Sequence, residues 1–219
     1  QKVIEEAPAP GVPAKLRQAM HEAALGLVAH GNYRGAGTVE FIYDCVAEAF
    51  YFLEMNTRIQ VEHAATEMIT GTDLVGAQIA LASGNFNAPR QDRIAATGHA
   101  IECRLYAERP EKNFLPSPGV LKCFRLPKEN GSVRIDRGLK EGDRITPYYD
   151  PMIAKIIVLG DDRDDAIERM RSTLGEIEIE GVSTNLVFLK QVLLDPVYRT
   201  DLPTTRYVEE GSYKSVGLT

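Results

Sequence analysis

The stretch Phe50–His63 reads FYFLEMNTRIQVEH. With a period of two, one face carries Glu54, Asn56, Arg58, Gln60 and Glu62. The other carries Leu53, Met55, Thr57, Ile59 and Val61. A half-buried antiparallel strand with a solvated face has this alternation. A solvated face normally mixes in Ser and Lys, and this one has neither. Its carboxylates, amides and guanidinium are groups that hold cations and small anions.

The neighbours of this stretch turn it into a site. Residues 37–44 (GTVEFIYD) and 49–57 (AFYFLEMNT) are rich in β-formers, with Cys45 to Glu48 between them, which predicts a β-hairpin. A hairpin centred near residue 47 sets Glu40 opposite Glu54. Directly opposite side chains lie about 5 Å apart at Cβ, and like charges there repel. A divalent cation would compensate, and Asn56 adds a third oxygen on the same face. Two carboxylates and an amide, with no His or Cys, suit Mg²⁺ or Mn²⁺. Mg²⁺ held by one or two carboxylates completes its shell with water and substrate phosphates. The expectation is a nucleotide-phosphate site. Beyond it, Arg58 can hold a small anion bidentately and Glu62 can act as a general base. That combination predicts activation of a small oxyanion by ATP. A one-residue slip would turn Glu54 to the other face, so the reading depends on register.

Upstream, Lys2–Glu6 predicts a short strand running into the loop APAPGVP, and Pro13 to His30 a helix stopped by Gly31-Asn32. Downstream, His63–Thr70 and Asp73–Ser83 are helical patterns closed by Gly71 and Gly84. The segment NFNAPRQDR marks a boundary near residue 85. Short strands follow at Gly98–Ala107, Gly119–Leu126, Ser132–Asp136 and Pro151–Leu159. Then come a helix over Asp161–Ile177 with an acidic start and a more buried helix over 185–194. The fold class is α+β, divided at 1–84 and 85–219.

The chain has 219 residues, 44% hydrophobic and 26% charged. Its 25 basic and 31 acidic residues give a net charge of −6, which argues against nucleic acid or an anionic membrane as partner. No run of about 18 apolar residues is present. Cys45, Cys103 and Cys123 form no CxxC pair, so neither a zinc ribbon nor a disulfide scaffold is expected. Cys103 and Cys123 read as packed core. His21 and His30 suit surface or capping roles, and His63 and His99 either a place at the active site or a structural role. Asp161–Asp165 lacks the glycine and late glutamate of a calcium loop. Tyr148-Tyr149-Asp150 suits packing or an interface, and Arg134 a position near a subunit contact. The chain starts Gln-Lys-Val-Ile, which is expected of a fragment or processed product.

The run FLEMNTRIQVEHAATEMITGTDLVGAQIALASG resembles the signature of biotin carboxylases, members of the ATP-grasp superfamily. QKVIEEAPAPG, NYRGAGTVEF, GHAIECRLYAE, FLPSPG and YYDPMIAKII resemble the same family in the same order, from residue 1 to about 208. The resemblance implies the C-terminal half of an ATP-grasp domain followed by the biotin carboxylase C-terminal domain. It implies that ATP and bicarbonate form carboxyphosphate, which carboxylates N1′ of carrier-linked biotin. Glu40, Glu54 and Asn56 match the metal positions. Lys2, Arg58, Gln60 and the backbone of Val61 match bicarbonate-binding positions. Glu62 matches the base, and Arg104 the arginine facing the biotin enolate. A guanidinium suits that place because it stays charged as negative charge develops.

Two departures stand out. The family pattern His-Pro-Val-Thr-Glu is here His63-Ala64-Ala65-Thr66-Glu67, and the loop between Glu40 and Glu54 is longer than in some relatives. Implied partners are a biotin carboxyl carrier domain, a carboxyltransferase component and a second copy in a homodimer. The implied location is cytoplasmic in a bacterium or the mitochondrial matrix in a eukaryote. The glycine-rich lid and the partner lysines of the family fall outside this stretch, so the isolated chain is expected not to cleave ATP usefully. Two rivals remain: another ATP-grasp ligase such as a carbamoyl-phosphate synthetase, and a non-catalytic assembly module.

Overall fold

The computed structural model describes residues 2–200 and 203–217. Gln1, which opens the QKVIEEAPAPG motif, lies outside them. In chain order the elements are β1 (Ile4–Ala7), α1 (Ala14–His30), β2 (Thr38–Asp44), β3 (Ala49–Asn56), α2 (His63–Thr70) and α3 (Leu74–Ala82). Next come β4 (His99–Tyr106), β5 (Glu108–Arg109), β6 (Leu115–Pro116), β7 (Gly119–Val120), β8 (Cys123–Arg125), β9 (Val133–Arg137) and β10 (Arg144–Ile145). The last are β11 (Met152–Gly160), α4 (Arg163–Gly175), β12 (Glu178–Glu180), α5 (Leu186–Leu194), α6 (Pro196–Thr200) and α7 (Tyr207–Glu210). The expected strand over Gly119–Leu126 is two short strands, β7 and β8, which pair with β10 and β12 rather than running on together.

The contacts divide the chain into two units, 9–95 and 96–219 with residues 1–8 joined to the latter. The composition change near residue 85 instead suggests 1–84 and 85–219, with the first residues in the first half. Strand pairing is the reason for the difference. β1 pairs with β4, nearly a hundred residues away, with Ile4 opposite Cys103 and Ala7 opposite Ala100. Composition cannot reveal so distant a partner.

The larger unit is built on an antiparallel sheet of order β1-β4-β11-β9. Alternation sends Ile101, Cys103 and Leu105 of β4, and Ile156 and Val158 of β11, into one core with Ile167, Met170 and Leu174 of α4. The helix starts where the sequence supplies a cap: Asp162 Oδ1 accepts a hydrogen bond from Asp165 N at 2.9 Å. Cys103 is fully buried, and burial pushes its thiol up, away from reactivity.

β1 is fixed from the core side by Glu6. Its carboxylate accepts hydrogen bonds from Arg163 Nε (2.8 Å) and Nη2 (2.9 Å) and meets His99 Nε2 at 2.7 Å. Burial alone would raise the Glu6 pKa, but these bonds outweigh it and lower it to about 2.

The smaller unit carries α1, the β2–β3 hairpin, α2 and α3. Among the described residues its buried apolar side chains are few: Ala64, Ala65 and Ile69. Ile42, Tyr51, Phe52, Leu53 and Ile79 are exposed. A two-stranded ribbon has too little surface to build a core of its own.

Candidate functional site

The hairpin loop sets the first constraint on the site. Asp44 Oδ1 accepts hydrogen bonds from Val46 N and Ala47 N, both at 2.9 Å, and Glu48 takes a φ of 47°. Asp44 therefore pairs with Ala49, Tyr43 with Phe50 and Phe41 with Phe52. Continued unbroken, that register would put Leu53 opposite Glu40. Instead a bulge lies between Glu40 and Phe41, and Glu40 stands opposite Glu54. The bulge takes up one residue and re-aims the strand, as bulges beside functional sites do. The expected Glu40–Glu54 pairing is thus present, and it depends on an irregularity rather than on simple symmetry.

The same-face reading beyond Asn56 is corrected. β3 ends at Asn56, and residues 57–62 bend and turn into α2. The polar side chains meet through hydrogen bonds instead. Asn56 Nδ2 donates to Glu40 Oε1 (3.1 Å) and to Glu54 Oε1 (2.9 Å). Gln60 Nε2 donates to the same Glu40 oxygen at 3.0 Å. Arg58 closes the ring, with Nη2 donating to Asn56 Oδ1 (3.3 Å) and Nη1 to Gln60 Oε1 (3.4 Å). The repulsion between facing carboxylates is offset by amide hydrogens from Asn56.

Glu62 occupies the N-cap position of α2 without a capping bond from its side chain, at a helix end whose dipole favours a carboxylate. It lines a 430 Å³ cleft with Gly37, Thr38, Gln60, His63 and Thr66. His63 holds the turn that carries Val61, and Glu67 ties α2 to the start of α3. His63 Nδ1 meets the Gln60 carbonyl at 2.8 Å, and buried Glu67 accepts from Leu74 N at 2.6 Å. The structural reading of His63 is compatible with these contacts. The Glu67 brace was not anticipated, and its only signal was a glutamate on the apolar side of a helix.

Among the described residues no three His, Cys, Asp or Glu side chains cluster for a metal. Glu40 and Glu54 supply two, with Asn56 beside them. A hard cation that takes its remaining ligands from phosphate and water fits such a set. The Asn56 amide bridges the carboxylates through nitrogen, and a half-turn about its last torsion would present Oδ1 in that place.

Arg104 and Lys2 belong to the other unit. Arg104 N donates to Val3 O at 2.9 Å, which seats Lys2 beside the backbone of Arg104's strand. Asn185, fully buried, holds that backbone with both ends of its amide. Its Nδ2 donates to Arg104 O (2.9 Å), and its Oδ1 accepts from Tyr106 N (2.9 Å). The Arg104 guanidinium forms a 2.6 Å ion pair with Glu5. Neither Asn185 nor Glu5 stood out in the sequence. Asn185 reads in the sequence as the first residue of the 185–194 helix; in the structure it stands at the N-cap of α5, with its side chain on β4 rather than on the helix.

Residues 102–210 match the family described as "Biotin carboxylase C-terminal domain". Residues 1–87 match "Carbamoyl-phosphate synthase L chain, ATP binding domain". The chain is 46% identical over 209 residues to Biotin carboxylase 1 of Bacillus subtilis, covering 95% of this chain and 46% of that protein. It is 49% identical over 189 residues to the mitochondrial methylcrotonoyl-CoA carboxylase subunit alpha of Rattus norvegicus, covering 86% and 26%. Among solved structures, it superposes with a TM-score of 0.93 on a domain dimer of the Hydrogenobacter thermophilus 2-oxoglutarate carboxylase, at 40% identity, covering 99% of this chain and 48% of that one. That structure is described as a complex with MgADP, ADP and bicarbonate. The chain spans about half the length of such relatives, or less.

Proposed function

We infer that this chain, which belongs to the biotin carboxylase family, contributes the metal, bicarbonate and biotin side of an ATP-dependent carboxylation of biotin. In that reaction bicarbonate takes the γ-phosphoryl group of ATP to give carboxyphosphate. ADP is released, and the carboxyl group then passes to N1′ of biotin as the C–O bond to phosphate breaks and the N1′ proton goes to the departing phosphate.

Glu40, Glu54 and Asn56 would hold Mg²⁺ or Mn²⁺, which neutralises phosphate charge as the phosphoryl group moves. Arg58, Gln60, the backbone of Val61 and Lys2 are the bicarbonate-binding set. Glu62 takes the bicarbonate proton, and Arg104 faces the ureido oxygen of biotin as it gains charge. The observation that carries the reading is the bulged hairpin. It sets two glutamates face to face with an asparagine amide spanning them, a set of oxygen donors converging where a hard cation would sit.

The carbamoyl-phosphate synthase likeness covers only the first 87 residues, while 102–210 carry the biotin carboxylase C-terminal domain. We favour biotin as acceptor for that reason. A biotin carboxyl carrier domain, a carboxyltransferase component and a second copy of the chain are the proposed partners. The relatives include free-standing biotin carboxylases and subunits of larger carboxylases, so the final acyl acceptor is set outside these residues.

A hybrid tests the residue roles: residues 1–219 replacing the matching segment of the Bacillus subtilis protein. Biotin-dependent ATP cleavage should fall well over tenfold in both Glu62→Gln and Arg104→Ala. If neither variant loses that much, the assigned roles are wrong.

A further inference from the structure

The face of the β1-β4-β11-β9 sheet turned away from α4 carries an arrangement of charge that neither the family likeness nor the chemistry above explains. Register places Lys155 of β11 directly opposite Arg104 of β4. Two cations in that relation sit about 5 Å apart at Cβ and repel. Both are largely buried, each with its side chain 9% exposed. Their nearest carboxylates lie on the two outer strands, β1 and β9, with Glu102 of β4 also near Lys155. Arg104 Nη2 reaches across to Glu5 Oε1 of β1 at 2.6 Å. Lys155 Nζ reaches Asp136 Oδ2 of β9 at 3.2 Å and lies 3.8 Å from Glu102 Oε1 of β4, Arg104's own strand. Asp136 is itself held by Arg134, through Nε at 2.8 Å and Nη2 at 3.0 Å.

Glu5 is an expensive residue to keep there. It stands opposite Glu102, which is fully buried, so β1 and β4 set two carboxylates face to face. Packing alone would be served better by an apolar residue, since a buried ion pair is weak evidence for stability. What a carboxylate at this position does is fix where the guanidinium lies, in a plane set by its fork of donors.

We propose that Glu5 is a positioning residue for Arg104, holding the guanidinium against the repulsion of Lys155 so that it is already aimed when biotin arrives. This rests on the reading of Arg104 as the group that faces biotin. Glu5 touches no substrate in this scheme and acts only through Arg104.

The test uses the same hybrid with Glu5→Gln, Glu5→Asp and Arg104→Ala. Two rates are measured, ATP cleavage with bicarbonate alone and the increment caused by biotin, together with the thermal midpoint. Misplacing a reacting group by about 1 Å can cost roughly 100-fold. Glu5→Gln should lower the biotin-dependent kcat by about 10- to 100-fold while the biotin-independent rate and the KM for ATP stay within about twofold. Glu5→Asp, which keeps the charge, should recover part of the loss. The proposal fails if Arg104→Ala loses the biotin increment and Glu5→Gln keeps it. It also fails if Glu5→Gln lowers both rates equally, which is what a merely structural role does. If Arg104→Ala keeps the biotin increment, the reading of Arg104 itself is overturned and the Glu5 proposal falls with it.

Discussion

At the scale of single residues, the pairing of Glu40 with Glu54 was legible because like charges on facing strands are rarely idle. The bulge that produces it was not legible. It depends on a tertiary choice between two registers that local composition leaves equal. Arg58, Gln60 and Glu62 were read as a continuing strand, and a turn places them instead. Period-two alternation persists through short extended turns, so alternation alone does not mark where a ladder ends. Asn185 shows what a single sequence hides most completely. Its two hydrogen bonds run to Arg104 and Tyr106, some eighty positions away. Asn185→Leu would leave a buried carbonyl and a buried amide unpaired. Each such loss costs about 1–3 kcal/mol, so urea unfolding of the chain should show a stability decrease of about 2–6 kcal/mol. A change under about 1 kcal/mol would mean these groups find other partners.

At the scale of elements, helices were read well because their signals are local. Asp73 and Asp162 cap α3 and α4 where the pattern begins, with Gly76 N and Asp165 N as donors. Strands were read less well when short, because β7, β8, β10 and β12 owe their existence to distant partners. β1 owes its place to Glu6, and this anchor has a pH signature. The Glu6 pKa lies at about 2 in the folded chain against 4.5 ordinarily. A lowered carboxyl pKa stabilises the fold fully above the ordinary value and loses that stabilisation as pH falls through the folded one. The window is therefore pH 4.5 down to 2, and the contribution is of order 3 kcal/mol. Acid titration of stability should show the chain losing this much more than Glu6→Gln over the same window. Parallel acid profiles for the two would show that Glu6 is not the anchor. At neutral pH Glu6→Gln should itself be less stable, by roughly 3–5 kcal/mol, since Arg163 would keep a partly buried charge without its carboxylate.

At the scale of the whole molecule, sequence patterns located most of the elements and singled out Glu40, Glu54, Asn56, Arg58 and Gln60, which hydrogen bonds link in the smaller unit; Glu67, Asn185 and Glu5 escaped them. They did not reveal that β1 belongs with the sheet of the larger unit. Nor did they reveal the contrast between the two units. One has a continuous core running from Ile101 to Tyr213, while the other leaves much of its hairpin exposed. Exposed apolar faces on a paired ribbon suit a sheet that further strands cover, consistent with a chain that spans about half its relatives. Activity is expected to need residues that the relatives carry beyond the matched stretch. The most direct measurement is carboxybiotin formation from radiolabelled bicarbonate, ATP, Mg²⁺ and free biotin. It is made on the Bacillus subtilis hybrid and on the 219-residue chain alone. The account predicts acid-labile label on biotin with the hybrid, and neither label nor ATP cleavage above background with the chain. A folded hybrid that cleaves ATP with bicarbonate but never labels biotin would contradict it.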